Sequence, residues 1–376
     1  MLLTKAQVFC NFFNKIAFNW QGYYDGFGLL YVENLKIQLE GCEMNEVTLS
    51  IDEAKQLCIE ALNASGASKI NAEITAEALV RAEIDGQKGH GLSRVPSYSA
   101  QVKSGKVNGT AQPVIDDVKP GLFRVSADFG FAYPALRMAL PELCLRVKQN
   151  GIAAAAIHRS HHFGVAGQPC EDLAREGFIA FVYGNTPKAV APFGAKEKVL
   201  GTNPIAFGAP LDTDPLVIDF ALSTVARGKI MAAKQAGSSI PQGWALGPDG
   251  EPTTQAERAL QGSMLPIGGV KGAALALMVE IMSACLAGAA LGAEAGSLFE
   301  GEGEPPDLGQ VILAIDAASL SAGNFSSRIK DLAAIYEELE GARLPGLNRL
   351  KNRKTAAEDG LLVPETLLEE IRHITQ

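Results

Sequence analysis

Short β-branched and aromatic runs, separated by glycine and proline, fill the middle of this 376-residue chain and most constrain its fold. They lie between residues 113 and 220 and read GLFRVSA, GIAAAAIH, GFIAFVYGN, NPIAFGAP and PLVIDFA. Runs of this length, bounded by turn residues, predict β-strands. Helical stretches lie between them, and QVILAID predicts one more strand from residue 310. The pattern predicts an α/β or α+β domain.

Helical patterns flank this central region on both sides. Apolar residues recur on one face over 54–62, after Ser50 as a capping candidate. A second helix is predicted over 71–86, with its end at Gly86. Charged helical patterns return from Asn324 to the end. We expect this helical tail to pack back on the rest of the chain.

Composition argues against several classes of protein. The formal net charge is -9 and no basic run is present, so nucleic acid is not an expected partner. The six cysteines are scattered without a C-x-x-C pair, which is typical of the reduced thiols of a cytoplasmic protein. The histidine pair at 161–162 lacks the i, i+4 spacing of a helical zinc site, so no metal is expected.

The most apolar stretch, AALALMVEIMSACLAGAALG over 273–292, is nearly long enough to span a bilayer. It carries Glu280 near its middle and lacks flanking basic or aromatic anchors. We therefore predict a buried helix and no membrane association.

The first 43 residues are rich in aromatics but show neither helical nor strand periodicity. No compact apolar core ends in a small-residue cleavage site, so they do not form a signal peptide. A conventional beginning, MNEVTLSIDEAKQL, follows at Met44. We predict that residues 1–43 are a non-native or disordered extension and that the natural start is Met44.

The main candidate for chemistry is His90, which lies between two glycines in DGQKGHGLSRVPSY. Histidine exchanges protons near neutral pH, and an arginine such as Arg94 can clamp a carboxylate with two hydrogen bonds. If residues 90–94 formed a helical turn, both groups would lie on one face. That pair suits a substrate with a carboxylate next to a carbonyl, imine or hydroxyl. The same residues also fit an exposed loop histidine beside a surface arginine.

Further stretches combine glycine with polar groups, and each is weak evidence alone. They read SHHFGVAGQP (160–169), GTNPIAFGAP (201–210), DFALSTVARGK (219–229) and LPIGGVKGAALALMVE (265–280). In the last of these, Lys271 and backbone N–H groups are placed to meet an anion. No complete G-x-G-x-x-G follows a strand, so a Rossmann fingerprint is missing.

Taken in order, GHGLSRVPSY, SHHFG, NTP, GTNP, DFALSTVARGK, LPIGGVKG and RLPG resemble the type-2 malate/L-lactate dehydrogenase family. This group of non-Rossmann NAD(P)-dependent oxidoreductases includes ureidoglycolate dehydrogenase, sulfolactate dehydrogenase and Δ1-piperideine-2-carboxylate reductase. The resemblance runs from about Met44 to the C-terminus. It implies an α/β fold with a largely antiparallel central sheet, flanking helical N- and C-terminal segments, and a homodimer with its active site near the subunit interface.

From this resemblance we predict two domains. An NAD(P)-binding domain is expected over 121–309. A helical substrate and dimerisation domain is expected from 44–120 together with 310–376.

The resemblance also implies a role for individual residues. His90 matches the catalytic acid/base of the family. The implied substrate-binding residues are Arg94, Thr202, Gly228 and Lys229. The implied cofactor-binding residues are His162, Phe163, Gly164, Val165, Ala166, Phe220, Ala221, Leu222, Lys271 and Arg343.

One position departs from the family pattern. Many relatives read Ser-His-Gly where this chain has Gly89 before His90. Glycine cannot orient the histidine or relay its proton. Water, or a side chain distant in sequence, must then fix the tautomer of His90.

The implied reaction is hydride transfer between NADP or NAD, with NADPH preferred, and the α-carbon of a small carboxylate substrate. Two substrate classes stay open: a 2-oxo/2-hydroxy acid of the malate, lactate or sulfolactate type, placed first, and the cyclic imines Δ1-pyrroline-2-carboxylate and Δ1-piperideine-2-carboxylate. A non-catalytic NAD(P)-binding protein that lost the family serine is a third reading. The retained His90, Arg94 and Thr202 oppose it.

Overall fold

The computed structural model describes residues 45–376, so the predicted extension over 1–43 and the proposed start at Met44 lie outside the described residues. In the described range, the strands of the largest sheet are β2 (Val114–Lys119), β3 (Leu122–Ser126), β4 (Ile152–Ser160), β5 (Phe178–Gly184), β6 (Ile205–Ala209), β7 (Leu216–Phe220) and β11 (Leu308–Asp316). The short strands outside it are β1 (Glu46–Leu49), β8 (Ala245–Leu246), β9 (Pro252–Thr253), β10 (Ser263–Met264) and β12 (Leu361–Pro364).

The α-helices occur at both ends of the chain and between the strands. Those up to the middle of the chain are α1 (Ile51–Ala64), α2 (Lys69–Ile84), α3 (Val95–Ser104), α4 (Ala132–Asn150), α5 (Gly167–Arg175) and α6 (Arg227–Gln235). The later ones are α7 (Ala256–Gln261), α8 (Val270–Glu280), α9 (Ala317–Leu320), α10 (Phe325–Glu338), α11 (Leu347–Asp359) and α12 (Glu365–Ile374). No helix within residues 45–376 has both the length and the apolarity needed to cross a bilayer.

The central sheet has seven strands in the order β2-β3-β4-β11-β5-β6-β7. Only the β3–β4 pair is parallel, and the other neighbours are antiparallel. A parallel pair needs a long crossover, which α4 provides between β3 and β4. The predicted α/β class is confirmed, whereas the predicted largely antiparallel sheet is a mixed one.

The sheet extends beyond the predicted cofactor domain in both directions. Strand β2 pairs with β3, although it precedes the predicted border at residue 120. Strand β11 crosses the predicted border at residue 310 and lies between β4 and β5 in the core of the sheet. A border at either place would cut ladder hydrogen bonds, so we group β2 and β11 with the sheet.

The helical ends meet as expected. Ser50 and Glu53 form a reciprocal capping box at the start of α1, which confirms the predicted cap. Helix α2 ends at Ile84, just before Gly86 adopts a positive φ of 80°. From α11, Arg353 Nε donates to Asp85 Oδ1 at 2.6 Å. The tail therefore packs against the end of α2.

The predicted buried helix over 273–292 is only partly buried. Helix α8 ends at Glu280 and continues as a π-turn over Ile281–Cys285. Glu280 itself is buried, but Leu277, Ile281 and Leu286 are more than half exposed. The apolar sequence therefore builds one face against the core and leaves a second apolar face uncovered in the single chain.

Four of the six cysteines lie within the described residues. Cys58, Cys144, Cys170 and Cys285 are free cysteines. Cys10 and Cys42 lie outside the described residues.

Candidate active site

His90 follows α2 in an irregular turn. Two 3₁₀ turns, Lys88–His90 and Leu92–Arg94, are separated by Gly91, so the single helical turn expected over 90–94 does not form. Leu92 N donates to Glu83 Oε2 at 3.0 Å, and a Cβ on Gly91 would collide with that carboxylate. Gly91 thus allows the chain to pass close to α2 and brings His90 to the sheet.

The ring of His90 stacks on the ring of His162, which follows β4. The centroids are 5.1 Å apart with an interplanar angle of 14°, and His90 Nδ1 lies 3.2 Å from His162 Nε2. Tyr98 Oη lies 2.6 Å from His162 Nδ1 and 3.3 Å from Tyr133 Oη. His162, expected to contact cofactor, therefore contacts the predicted acid/base directly. His162 is thus a side chain distant in sequence that contacts His90, where Gly89 offers no side chain.

Burial keeps these imidazoles neutral. It lowers the pKa of His90 to about 4, and the positive charge of Arg94 adds to the effect. The pKa of His162 is lowered well below its ordinary value for the same two reasons. Burial raises the pKa of the Tyr98 phenol to about 12. At neutral pH the rings of His90 and His162 are therefore uncharged.

A buried hydrogen-bond chain fixes the loop that precedes β11. His161 Nε2 lies 2.8 Å from Gln101 Oε1, and Gln101 Nε2 donates to Glu300 O at 3.1 Å. Lys106, only 3 % exposed, donates through Nζ to Glu300 O and Glu302 O, at 3.0 Å each. The loop that precedes β11 is thus attached to α3 and to Lys106, beside the histidine cluster.

Phe299, in this loop, has the guanidinium groups of two arginines near its ring. The Arg94 guanidinium lies 5.1 Å from the ring centroid and that of Arg227 lies 5.9 Å from it. Arg94 Nε also donates to Gly89 O at 2.7 Å. Arg227 begins α6, directly before the predicted Gly228 and Lys229, both exposed. Sequence reasoning missed Arg227 because a lone arginine in VARGK does not differ from a surface residue.

Thr202 and Leu222, two further predicted residues, are neighbours. Leu222 N donates to Thr202 O at 2.7 Å, and Ile267 N donates to Leu222 O at 2.9 Å. Thr202 N donates to Thr186 Oγ1 at 2.8 Å. The NTP, GTNP, DFAL and LPIGG motifs therefore converge, with Leu222 in the middle.

Glu280 explains why one acid interrupts the apolar stretch. Its Oε2 accepts a hydrogen bond from Asn203 Nδ2 at 2.7 Å, and its Oε1 accepts one from Gly292 N at 2.6 Å. Since Asn203 has a φ of 40°, the side chain of Glu280 stabilises a left-handed residue next to Thr202. This role is structural.

The predicted cofactor loop over 162–166 is fully buried. Gly164 has a φ of 71°, and a Cβ there would lie 2.7 Å from the Tyr133 hydroxyl, so no other residue fits without strain. Gly167 N, at the start of α5, donates to Asp219 Oδ2 at 2.8 Å. That bond joins the loop to the end of β7 and hence to Phe220 and Ala221.

The two remaining predicted cations, Lys271 and Arg343, are exposed. Within the described part of the chain, neither has a hydrogen bond or ion pair with another predicted site residue. Arg349, which follows Arg343 in the chain, donates to Pro215 O at 2.8 Å and lies 3.6 Å from Glu171. The RLPG turn lies against the start of β7, since a Cβ on Gly346 would be 3.1 Å from Val217 O.

Comparison with known proteins identifies a family of dehydrogenases. The family model of malate/L-lactate dehydrogenases matches residues 49–372. A (2R)-3-sulfolactate dehydrogenase (NADP(+)) from Chromohalobacter salexigens is 48 % identical over 325 residues, 86 % of this chain and 97 % of that protein. A Δ1-pyrroline-2-carboxylate reductase from Ancylobacter novellus is 39 % identical, over 87 % of this chain and 97 % of its own length.

A solved structure extends the match to the fold. The Δ1-piperideine-2-carboxylate reductase of Pseudomonas syringae superposes with a TM-score of 0.83 at 34 % identity, over 87 % of this chain and 99 % of that one. Sequence, fold and motif order agree over the same range, and the resemblance read from the motifs is confirmed. The chain belongs to the malate/L-lactate dehydrogenase family.

Proposed function

We propose that this chain uses NADPH to reduce a small 2-oxo acid to a 2-hydroxy acid, with the reverse reaction on NADP⁺. Its family and its relatives make it an NAD(P)-dependent oxidoreductase. The observation that carries the proposal is the placement of His90, which stacks on His162 and lies four residues before Arg94, an arginine with no acidic partner among the described residues.

The described residues fit a nicotinamide dinucleotide. The buried loop over 162–166 lies against His90 through His162 and offers backbone close to the reacting groups. Gly268 and Gly269, both with positive φ, directly precede α8. The first turn of this helix contains Lys271 and no acidic residue, so an anionic phosphate would be favoured there. Phe163 to Ala166 and Phe220 to Leu222 would hold the nicotinamide half. When bound, the cofactor supplies the hydride chemistry.

Arg94 anchors the substrate carboxylate. Its guanidinium is partly buried and has no carboxylate partner in residues 45–376, so its charge is available for a ligand. A planar guanidinium suits a carboxylate through two parallel hydrogen bonds. An anion there also removes one of the two causes that lower the pKa of His90.

His90 exchanges the proton at the substrate oxygen. In the free protein its low pKa keeps it neutral, which suits proton acceptance from a 2-hydroxy acid. In the reductive direction, the bound carboxylate offsets the Arg94 charge and raises the affinity of His90 for the proton that it then donates. His162, held by Tyr98, fixes Nδ1 of His90 and leaves Nε2 for the substrate.

A second candidate function is reduction of a cyclic imine that bears a carboxylate. It is supported by the similarity to the pyrroline and piperideine carboxylate reductases and by the exposed ring of Phe299, against which an aliphatic ring would pack. Arg94 and His90 would have the same roles, with the proton delivered to nitrogen.

The assembly is part of the proposal. The exposed apolar face of α8 and its π-turn, formed by Leu277, Met278, Ile281 and Leu286, supports a homodimer in which this face is covered. The active site near the interface and the cytoplasmic location stay predictions. Sedimentation of the purified chain at micromolar concentration tests the dimer.

Initial rates of NADPH and NADH oxidation test the function. The panel holds pyruvate, oxaloacetate, 3-sulfopyruvate, Δ1-pyrroline-2-carboxylate and Δ1-piperideine-2-carboxylate. We expect a 2-oxo acid to give the highest kcat/KM, with NADPH preferred. A cyclic imine that exceeds every 2-oxo acid by orders of magnitude would replace this function with the second candidate.

A further inference from the structure

Arg94 and Arg227 approach one aromatic ring from different elements. Their guanidinium carbons lie 5.1 and 5.9 Å from the centroid of Phe299, so they are no more than about 11 Å apart. Arg94 comes from the turn after His90, and Arg227 from the first position of α6. The loop that carries Phe299 is fixed by Lys106 and Gln101, so this spacing is built into the fold.

Arg227 is a cation without a counter-ion. Across residues 45–376, no Asp or Glu forms an ion pair with it, and the first turn of α6 contains no acidic residue. Burial lowers its pKa, and no nearby carboxylate counters that effect. Leaving a partly buried charge without a partner costs free energy, which a bound anion would recover.

The surroundings of Arg227 add positive charge. Lys198 is partly buried. Burial is the main cause that lowers the pKa of Lys198, and the positive charge of Arg227 is the next. Lys198 Nζ donates to Gly262 O at 3.3 Å, a backbone partner that leaves its charge uncompensated. Gly228 and Lys229 follow Arg227 on the exposed side. An anion next to Arg227 would therefore lie in a positive field.

We propose that Arg227 binds a second anionic group of the substrate, so that the substrate is a 2-oxo/2-hydroxy acid with a carboxylate or sulfonate on the carbon next to the reacting one. This inference rests on the proposed 2-oxo acid function and names its substrate class. Each ion pair brings nitrogen within about 4 Å of an oxygen. Two acidic groups on neighbouring carbons can therefore reach both guanidiniums while the 2-oxo group faces His90.

The subsite separates the two candidate functions. A cyclic imine carboxylate or pyruvate has one anionic group and satisfies Arg94 alone. Such a substrate leaves Arg227 without a partner, and a site that is built for a second charge discriminates against ligands that lack it. Arg227 is thus a specificity-determining residue that does not take part in the proton transfer.

The test compares Arg227→Gln and Arg227→Lys with the wild type on 3-sulfopyruvate, oxaloacetate and pyruvate. We expect Arg227→Gln to lose about 10- to 100-fold in kcat/KM for the two dianions, mostly through KM, and to stay within about threefold on pyruvate. Arg227→Lys keeps the charge and should recover part of the loss. The matched control is Arg328→Gln, which replaces an exposed arginine on α10 that pairs with Asp331. It should change neither the kcat/KM for the dianions nor that for pyruvate.

Two negative outcomes are distinguishable. Equal losses on pyruvate and on the dianions would overturn the second-anion subsite and leave the proposed function intact. A wild type that reduces no 2-oxo acid but turns over a cyclic imine would refute the proposed function itself, and the inference with it. If Arg227→Gln does not fold, the ratio of dianion to pyruvate kcat/KM in Arg227→Lys decides, because an unchanged ratio contradicts the subsite.

Discussion

His90 Nδ1 lies 3.2 Å from His162 Nε2, and the two rings stack although 72 residues separate them in the chain. His162 is in turn bound by the buried phenol of Tyr98. The residue before His90 is Gly89, which has no side chain that could orient the imidazole. The orienting partner of the proposed acid/base is therefore provided by the tertiary structure and not by its neighbour in sequence.

Replacing His90 by Asn should lower kcat by about 10²- to 10⁴-fold, because the amide cannot exchange the proton. The Kd for NADPH, measured by fluorescence titration, should stay within about threefold. His373→Asn, an exposed histidine on α12, is the control. Unchanged turnover in His90→Asn would remove this residue from the mechanism.

Tyr98→Phe should lower kcat by about tenfold, since it removes one hydrogen bond to His162 while it keeps the buried ring. Without that bond His162 holds His90 less firmly, so the apparent pKa in the kcat/KM profile should move as well. The readout is the pH–rate profile of wild type and variant. A variant with reduced kcat but an unshifted profile would limit Tyr98 to a packing role. Tyr336→Phe on the surface of α10 serves as the comparison.

Gly89→Ser should fold normally, because no atom lies within 4 Å of a Cβ at that position. Its kcat should stay within about threefold of wild type, since His162 already contacts Nδ1 of His90. Gly91→Ser is the contrasting variant and should lose about 1–3 kcal/mol of stability through its collision with Glu83. Thermal melts and steady-state rates measure both. A tenfold gain in Gly89→Ser would show that His162 does not replace the serine.

The buried histidines should make the protein less stable below about pH 6.5. Burial, with the charge of Arg94, lowers the pKa of His161 to about 3 from its ordinary 6.5. The unfolded chain then binds the proton more readily than the folded one. Stability is therefore full above about pH 6.5 and falls as the pH is lowered toward 3.

The variant His161→Gln isolates this effect. Between pH 7 and pH 5, wild type should lose about 2 kcal/mol more of its free energy of unfolding in urea than the variant. Burial raises the pKa of Asp219 to about 6, so this group stabilises the folded protein as the pH falls. Asp219 is present in both proteins, and its effect cancels in the comparison. Exposed His373→Gln should retain the wild-type slope. Parallel slopes for wild type and His161→Gln would contradict the prediction.

Much of the fold follows from local sequence. The five central runs and QVILAID form strands where the pattern predicted them, because β-branched and aromatic residues bounded by glycine and proline favour extended backbone whatever their partners. The cap at Ser50 is equally local. By contrast, β11 joins the sheet between β4 and β5, which are more than 120 residues upstream, and no local signal specifies that position.

The candidate site divides in the same way. The sequence alone determined the family and singled out His90, Arg94 and the motifs around Thr202 and Leu222, because each depends on residue type and order. Only the tertiary structure decided that His162 stacks on His90 and that Arg227 shares Phe299 with Arg94. It also decided that one face of the apolar helix α8 is uncovered. Those contacts join residues from separate elements, and their geometry is set by how the elements pack together, which no short window of sequence encodes.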